Sequence, residues 1–306
     1  MRDTSKAAYI IFAGLVAASF LWGGNNVATK HLIDHWPPIW TTCTRFFMAG
    51  GLLLALARYT SWFGAHQPIS PSMKRALWFR GSLSFTAYIL CFIWALRWSS
   101  AANMGLLFAT SPLWALLWEI RQVERPELLK RLMAATLTLS GVLLLCWSSL
   151  EEGASKMAGN LLGLAASILW THYSRVCRDL GQHLSSAQLN GHHFVRTCCW
   201  LLPLAVYDQV TQPIPMSWQL WASQGYSVVG AGIFAFALWT HALKHWPTSR
   251  VMLFVNLIPL TTLWWGWILF GEQVDPSFWG AMVLVILGVL LGWLPWPARL
   301  SHRLSP

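Results

Sequence analysis

One stretch of this chain is written twice. Residues 95–118 read ALRWSSAANMGLLFATSPLWALLW, and residues 242–265, which lie 147 positions later, read ALKHWPTSRVMLFVNLIPLTTLWW. The two copies share seven identical positions. These identities are Ala95/Ala242, Leu96/Leu243, Leu106/Leu253, Pro112/Pro259, Leu113/Leu260, Leu116/Leu263 and Trp118/Trp265. A match of this kind within one chain indicates an internal duplication.

The duplication extends beyond this stretch. The GVLL of residues 141–144 recurs at residues 288–291 with the same spacing. A spacing of 148 relates a second set of positions, Ser19, Leu21 and Trp22 to Ser167, Leu169 and Trp170. Because a repeat of this length covers half of the chain, the sequence predicts one unit duplicated. Residues 1–150 form the first copy and residues 151–306 the second.

The composition places most of the chain in lipid. Hydrophobic residues make up 56% of the chain and charged residues only 10%, whereas a soluble domain carries about 25% charged residues. A bilayer core requires about 20 helical residues for each crossing, and ten apolar segments of that size are separated by connections that contain prolines. The segments are residues 7–29, 37–57, 76–96, 100–118, 129–148, 158–175, 188–207, 221–242, 248–270 and 277–296. The sequence therefore predicts an all-α membrane protein with ten transmembrane helices.

The lysines and arginines of the connections indicate how the chain crosses the membrane. Placing both termini on one side puts fifteen basic residues there and three, Lys30, Arg97 and Lys156, on the other. Basic residues mark the cytoplasmic side, so we predict cytoplasmic termini in a bacterial-type inner membrane. The same distribution accounts for the net charge of +10 without nucleic-acid binding. Since each copy contributes five helices, the second copy is predicted to be inverted, which is typical of secondary transporters.

The chain offers little that would support an enzyme, a metal site or ATP hydrolysis. Its six cysteines show neither metal-ligand spacing nor a disulfide framework, and a phosphate-binding loop motif is absent. All eleven acidic residues lie in connections or at segment ends, so no carboxylate is placed to carry a proton through the bilayer. We therefore predict no cofactor and movement of a substrate down its gradient. Four histidines in or near the segments leave a proton relay open as an alternative: His172, His192, His193 and His241.

Several motifs together resemble a known family. The FLWGGNNVATK that ends the first segment, the TRF of the second, the AANMGLLFATSPLWALLW stretch and the closing SGVLLL and LGVLLG resemble the EamA-type ten-helix transporters of the drug/metabolite transporter superfamily. The resemblance covers essentially the whole chain. Its 22 tryptophans and short loops make the chain look most like the exporters of aromatic amino acids. The resemblance implies a cavity lined mainly by helices 1, 3, 4, 6, 8 and 9, with helices 5 and 10 at the periphery.

Two prolines at equivalent positions, Pro112 and Pro259, fall inside apolar helices. Each lacks a backbone N–H and displaces the carbonyl four residues earlier, on Phe108 and Val255. We predict a kink at each position that serves as a hinge. Whether the freed carbonyls face a cavity and bind an ammonium group, or the kinks only improve packing, stays open.

Polar residues inside apolar helices are further candidates. Asn26, Asn103 and Asn256 are amides that bind a substrate or form hydrogen bonds between helices. Arg45 and Arg196 lie near the middle of helices 2 and 7, where an arginine costs about 2.5–3.5 kcal/mol. The resemblance places these two helices away from the cavity wall. We therefore favour structural contacts with carbonyl groups over binding of a substrate carboxylate.

Most tryptophans lie near segment ends and are expected to form the interfacial belt. Six aromatic residues lie deeper or on helices that the resemblance assigns to the cavity. They are Trp22, Tyr88, Trp94, Trp170, Tyr173 and Trp239. Aromatic side chains stack on aromatic ligands and bind ammonium groups on their faces. Packing against lipid or within the core is the alternative for each of them.

The sequence thus predicts a membrane transporter that exports small amphipathic metabolites, amino acids including aromatic ones, by alternating access between the two halves. A monomer would suffice, with a small-molecule substrate and the lipid bilayer as partners. A carrier of nucleotide sugars, sugar phosphates or cationic drugs is the alternative within the superfamily. The former ligands call for several cavity cations, and the chain offers only Arg45 and Arg196 at depth. A non-transport membrane subunit is a further alternative, although duplication with inversion gives it no benefit.

Overall fold

The computed structural model describes residues 2–98, 101–151, 157–211, 214–271 and 276–294. Every regular element in these ranges is a helix. The elements group into ten helices, α1–α10, each of which overlaps one of the ten predicted segments. They are α1 (Arg2–Ile33), α2 (Pro38–Tyr59), α3 (Pro71–Trp98), α4 (Ala101–Phe108 followed by Ser111–Glu119), α5 (Arg125–Glu151), α6 (Met157–Gly181), α7 (Ser186–Thr211), α8 (Trp218–His245), α9 (Thr248–Met252 continued to Leu257–Phe270) and α10 (Ser277–Trp293).

The helix ends differ from the predicted ones by several residues. Helix α3, for example, begins at Pro71 rather than at residue 76, because Pro71 occupies the first helical turn and the hydroxyl of Ser70 accepts a hydrogen bond from the Met73 N–H (3.2 Å). A proline at this position leaves only a donor that would be unpaired in any case. Bilayer thickness therefore predicts the number of helices, while capping residues set where each one begins.

Five of the ten helices, α1, α2, α3, α8 and α9, are long enough and apolar enough to cross a membrane judged by length and composition alone. Helix α10 is apolar but shorter, with 17 residues. Helices α6 and α7 carry more polar residues, and these residues are buried against neighbouring helices. The fully buried ones are Ser167, Thr171, Ser174, Gln188, Asn190, His193 and Thr197. Polar side chains that pair inside the protein do not meet the hydrocarbon.

Irregular windings recur at equivalent places in the two copies. Helix α3 contains a π-helical stretch, Leu77–Ser82, and its counterpart α8 contains another, Ser227–Ala235. Helix α4 is interrupted at residues 109–110, just before Pro112, and α9 passes through a 3₁₀ turn, Leu253–Asn256, before Pro259. Such windings are rare within long helices. Their recurrence shows that the duplication seen in the sequence is also a duplication of structure.

The packing of the helices follows an inverted two-fold relation. Helix α2 packs on its own counterpart α7, and α5 packs on its counterpart α10. Helix α1 contacts α8 and α9, and its counterpart α6 contacts α3 and α4 in the same way. The ring of Tyr9, near the start of α1, lies 5.2 Å from that of Trp293 at the end of α10. The two ends of the described chain therefore meet on one side of the bundle.

Two glycines show how close this relation is. A Cβ on Gly141 of α5 would lie 2.9 Å from the Ala281 carbonyl oxygen of α10, and a Cβ on Gly288 of α10 would lie 2.8 Å from that of Ala134 on α5. Each member of one contact lies 147 residues from its counterpart in the other. Since residue numbers rise along α5 as they fall along α10, the two helices are antiparallel, as an inverted repeat requires.

Candidate functional site

Three tryptophans from both repeats meet at the centre of the bundle. The rings of Trp22 on α1 and Trp170 on α6 lie 5.8 Å apart, and Trp239 on α8 lies 5.1 Å from Trp22 and 5.9 Å from Trp170. Their residual exposures of 7%, 5% and 1% exclude the membrane-surface belt for these three. We call them, with Tyr88 and Tyr173, the aromatic cluster.

The contact between Trp22 and Trp170 locates the pseudo-two-fold axis. These two residues occupy equivalent positions in the two repeats. A residue can touch its own symmetry mate only where the axis passes between them. The aromatic cluster therefore lies on the axis, where the two halves meet. In transporters built from inverted repeats, substrate sites occupy this position.

The two tyrosines extend the cluster from α6 towards α3. The ring of Tyr88 on α3 lies 5.2 Å from Trp170, and the ring of Tyr173 lies 5.9 Å from it. Phe85, which the sequence did not single out, is fully buried and stacks on Tyr173 at 4.5 Å. Nothing in the sequence distinguishes Phe85 from other apolar residues of its segment. The cluster thus draws on α1, α3, α6 and α8, all of which the resemblance assigns to the cavity.

The structure does not bring all of the predicted site residues into this cluster. Trp94, further along α3, is only partly buried. Asn26 is exposed, and its amide donates a hydrogen bond to the Thr262 hydroxyl of α9 (3.1 Å), which is the interhelical alternative. The side chain of Asn103 lies outside the part of the chain that the structure describes. Trp94 and Asn26 therefore lie outside the cluster, and Asn103 stays a prediction.

Asn256 is the most unusual of the predicted amides. It lies in the 3₁₀ turn of α9 and is 1% exposed. Among the described residues, neither its amide nitrogen nor its amide oxygen has a hydrogen-bond partner. A buried polar group without a partner costs about 1–3 kcal/mol. Asn256 therefore stays a candidate for substrate binding.

Hydroxyl groups line the two breaks that precede the prolines. Ser19 of α1 donates to the Phe254 carbonyl of α9 (3.0 Å), and its symmetry mate Ser167 of α6 lies 3.0 Å from the Ser111 hydroxyl of α4. The Thr110 hydroxyl donates to the Leu107 carbonyl. The carbonyls that accept hydrogen bonds from these hydroxyl groups are those of Leu107 and Phe254. Each lies one residue before the carbonyl that the sequence predicted to be freed by the proline, that of Phe108 or Val255.

The two arginines make contacts within the protein. Arg45 donates to the Asn25 side-chain oxygen (3.3 Å) and its guanidinium lies 4.5 Å from the centre of the Phe46 ring. Arg196 donates to the His192 backbone carbonyl (3.1 Å). These contacts fit the structural role that we favoured from the sequence, with a side-chain amide in place of a backbone carbonyl for Arg45.

His193, one of the four histidines that left a proton relay open, lies beside the cluster. It is fully buried, and its Nδ1 is 3.2 Å from the Tyr173 hydroxyl. Among the described residues its Nε2 has no hydrogen-bond partner.

Outside the cluster, an apolar groove of about 290 Å³ runs between α1, α9 and α10 on the side of the bundle. Apolar side chains line this groove, apart from Thr261.

A buried ionic cluster closes one end of the bundle, and the sequence did not reveal it. The Glu119 carboxylate at the end of α4 accepts hydrogen bonds from the Thr248 N–H (2.7 Å) and the Ser249 hydroxyl (2.6 Å) at the start of α9. It also pairs with Arg131 of α5 (3.2 Å) and Arg178 of α6 (3.7 Å). An acid at a segment end looks like a surface residue in the sequence, and only the packing of α9 against α4 buries it.

A second acid, Glu127, supports this cluster from the first turn of α5. It lies 3.0 Å from Arg131 and 2.8 Å from Lys130. Burial raises the pKa of Glu127, but the hydrogen bonds from Lys130 and Arg131 lower it, and the net direction is downward. Glu127 is therefore ionised at neutral pH and holds Arg131 beside Glu119.

Comparison with known proteins decides the family. The model of the EamA-like transporter family matches residues 8–147 and, separately, residues 157–293. The chain belongs to the EamA-like transporter family. It is thus a multi-pass membrane transporter whose two family repeats coincide with the two five-helix copies described above.

Named relatives of this EamA-like transporter cover almost the whole chain. An uncharacterised transporter of Archaeoglobus fulgidus is 24% identical over 90% of this chain and 95% of its own length. A probable amino-acid metabolite efflux pump of Salmonella typhimurium is 24% identical over 93% and 95%. An S-adenosylmethionine/S-adenosylhomocysteine transporter of Chlamydia trachomatis is 24% identical over 93% and 88%.

A solved crystal structure shares the fold of this EamA-like transporter. It aligns over 99% of both chains with a TM-score of 0.74 and 20% sequence identity. At this identity the likeness concerns the fold alone. It supports the ten-helix arrangement and carries no information about the substrate.

Proposed function

We propose that this transporter exports small amphipathic metabolites, amino acids including aromatic ones, by alternating access. The observation that carries the proposal is the contact between Trp22 and Trp170 on the pseudo-two-fold axis (5.8 Å). A site on the axis is shared by both halves. It can be exposed to one side or the other when the halves rock against each other.

The chemistry of the centre supports an amino acid as the substrate. The indole rings of Trp22, Trp170 and Trp239 offer apolar faces for an aromatic or aliphatic side chain and attract an ammonium group. Asn256, at the level of the α9 break, has both a free donor and a free acceptor among the described residues. An amide can donate to a carboxylate and accept from an ammonium group. These two features together match the two ends of a zwitterionic amino acid.

In this proposal the two repeats, residues 1–150 and residues 151–306, move as units. Pro112 and Pro259 act as hinges, because each follows a stretch in which the regular helix is already interrupted. Both termini lie on the cytoplasmic side of a bacterial-type inner membrane, because fifteen basic residues of the connections fall on that side and three on the other. The end closed by Glu119 is then the cytoplasmic end.

Transport is proposed to run down the substrate gradient. The acidic residues of the chain lie in connections or at helix ends, and Glu119 is held in ion pairs by Arg131 and Arg178. A proton-coupled carrier usually keeps an ionisable carboxylate within the bilayer. The arrangement around Glu119 favours a structural carboxylate over one that binds and releases a proton.

S-adenosylmethionine and similar cations form a second candidate substrate class. A relative of 24% identity is named as its transporter, and a sulfonium cation suits a cage of indole faces. Nucleotide sugars receive less support, since Arg45 and Arg196 already bind Asn25 and the His192 carbonyl. The two leading classes differ in net charge, so one panel can separate them.

The proposal is tested by counterflow in proteoliposomes that contain the purified protein. The panel comprises the twenty amino acids, S-adenosylmethionine, a sugar phosphate, a nucleotide sugar and a cationic dye. We expect saturable exchange of apolar and aromatic amino acids, and no increase in rate when one side is acidified. Transport of nucleotide sugars and of no amino acid would refute the first choice. A strong acceleration by a pH gradient would refute the uncoupled mechanism.

The aromatic cluster itself is tested by replacing Trp22 or Trp170 with leucine. Loss of one stacking face should raise the KM for an aromatic amino acid roughly two- to tenfold and change the KM for alanine less. Trp218→Leu is the matched control, because Trp218 is 78% exposed at the start of α8. Equal effects of all three variants on both substrates would contradict a binding role for the cluster.

A further inference from the structure

The ionic cluster around Glu119 joins the two repeats at a single point. Glu119 and Arg131 belong to the first repeat, whereas Ser249 and Arg178 belong to the second. The Glu119 side chain is only 6% exposed, so its charge depends on these partners rather than on water. Separating α4 from α9 at this end would break the hydrogen bonds from Thr248 and Ser249 to Glu119, whereas Arg131, which belongs to the same repeat, would stay beside it.

The pseudo-two-fold axis carries this end of the bundle onto the opposite end. There the sequence provides no ionic counterpart. The equivalent residues are Gly266 for Glu119, Phe278 for Arg131, Ala102 for Ser249 and Lys30 for Arg178. The acid is replaced by glycine, and its main cationic partner by phenylalanine. The basic residue that is retained, Lys30, is exposed.

This difference breaks the balance between the two states of an inverted-repeat carrier. If the halves were identical, the states open to the two sides would be mirror images of equal free energy. The contacts of Glu119 with the second repeat form only in the state in which the end of the bundle that contains Glu119 is closed. Charge-assisted hydrogen bonds of a buried carboxylate are stronger than neutral ones. Opening this end would therefore separate Arg178 from Glu119 and leave Glu119 with Arg131 alone. At the other end, the Asp208 carboxylate accepts hydrogen bonds from the Ile39 and Trp40 N–H groups across the repeats, but this contact contains no ion pair.

We propose that Glu119 is a positioning residue that latches the cytoplasmic end and sets the resting conformation as closed to the cytoplasm. In this scheme the slow step of the cycle is the return to the state that is open to the cytoplasm. The inference rests on the proposed alternating access and orientation. It adds that the two gates are unequal and names the residue that makes them so.

The test measures the distance between spin labels at two exposed positions on either side of the latch, Gln122 and His245, by pulsed electron paramagnetic resonance on the full chain in nanodiscs. We expect Glu119→Gln to increase the population with the longer separation on the order of tenfold. Glu124→Gln is the matched control, because Glu124 is exposed in the connection that follows α4, and it should leave the distances unchanged.

A second variant keeps the test decisive if Glu119→Gln does not fold. Ser249→Ala removes one hydrogen bond (2.6 Å) and leaves the charges in place, so it should give a smaller shift in the same direction. Unchanged distances in the folded variants, accompanied only by a lower melting temperature, would show that Glu119 is merely structural and would overturn the latch.

The transport assay separates this outcome from failure of the proposed function. Amino-acid transport by the wild type without a shift in the variants would overturn the latch alone. A tenfold shift with no transport of any compound in the panel would overturn the proposed substrate class and support the latch. With transport established, Glu119→Gln should also lower the KM measured from the cytoplasmic side relative to that from the outside.

Discussion

Two asparagines illustrate how differently one residue type is used in this protein. The Asn26 amide is exposed and donates to Thr262, while Asn256 is buried and neither of its amide atoms has a partner in the described part of the chain. The first therefore contributes a contact between helices, and the second reduces stability. In the proposed transport mechanism, the substrate supplies the partners of the Asn256 amide when it binds.

Replacing Asn256 with leucine should raise stability and abolish transport. The leucine has a similar volume and removes the desolvation cost of the amide, about 1–3 kcal/mol. The melting temperature in detergent should rise, and counterflow of amino acids should fall to background. Asn26→Leu is the matched control and should lower the melting temperature, because it breaks a hydrogen bond. A less stable Asn256→Leu protein with normal transport would contradict the assignment.

The internal duplication made it possible to predict two residues of the candidate site from the sequence. Trp22 and Trp170 were identified because they are equivalent positions, and the structure brings them together. Phe85 and Glu119 could not be identified in this way. Phe85 is one apolar residue among many, and the burial of Glu119 depends on the start of α9, more than 120 residues away. Contacts of this kind depend on how helices pack, which spacing along the chain does not encode.

At the scale of the helices, α4 and α9 are the elements that depart most from regular geometry. Both are interrupted before a proline, and a hydroxyl group from α1 or α6 supports each interruption. In each helix, the interruption separates two helical segments. The interruptions are therefore suited to absorb a change of angle without unpacking the helix ends.

Substituting Pro259 with alanine should stiffen α9 and slow transport. Alanine restores a backbone donor and relieves the clash with the preceding turn, which together are worth about 3 kcal/mol in a helix. We expect a severalfold lower turnover with little change in KM, and the same for Pro112→Ala. Pro203→Ala is the control, since Pro203 lies within α7 away from the two breaks. Equal slowing by all three variants would argue against specific hinges.

The glycines that join α5 to α10 allow a prediction that depends on symmetry. Gly141→Ala and Gly288→Ala each place a Cβ against a carbonyl oxygen of the other helix. Each should lower the free energy of unfolding by about 1–3 kcal/mol, and by similar amounts, because the contacts are equivalent. Gly51→Ala, whose Cβ would meet nothing within 4 Å, should stabilise α2 slightly. The thermal unfolding of the three variants would show whether the two sites respond alike.

The number and order of the helices followed from apolar length, and their inversion followed from the odd count in each repeat. The helix ends did not follow from apolar length, because caps such as Ser70 and polar turns extend the helices beyond the apolar segments. Nor did the breaks in α4 and α9, which the sequence predicted as kinks within continuous helices. A proline indicates where hydrogen bonding is lost, but neighbouring hydroxyl groups decide how far the chain unwinds.

At the scale of the whole molecule, the contact between Tyr9 and Trp293 puts both ends of the described part of the chain on one side of the bundle. The basic residues predict that this side is the cytoplasm. Two of the exposed lysines, Lys30 and Lys74, lie at opposite ends of the bundle in that arrangement. They therefore provide a direct test of orientation.

In intact cells, a membrane-impermeant maleimide should label Lys30→Cys and should leave Lys74→Cys unlabelled until the membrane is permeabilised. Both variants start from a background without Cys199, which is exposed. The two variants replace the same residue type and so control for each other. The opposite labelling pattern would reverse the orientation and place the Glu119 latch on the outside.

The contact between Trp22 and Trp170 also bears on the direction of transport. In the proposed transport mechanism, a substrate bound there contacts one indole ring from each half of the protein. These equivalent contacts give the substrate no preferred direction of release. The direction of transport is set by the substrate concentrations on the two sides and by the two ends of the bundle.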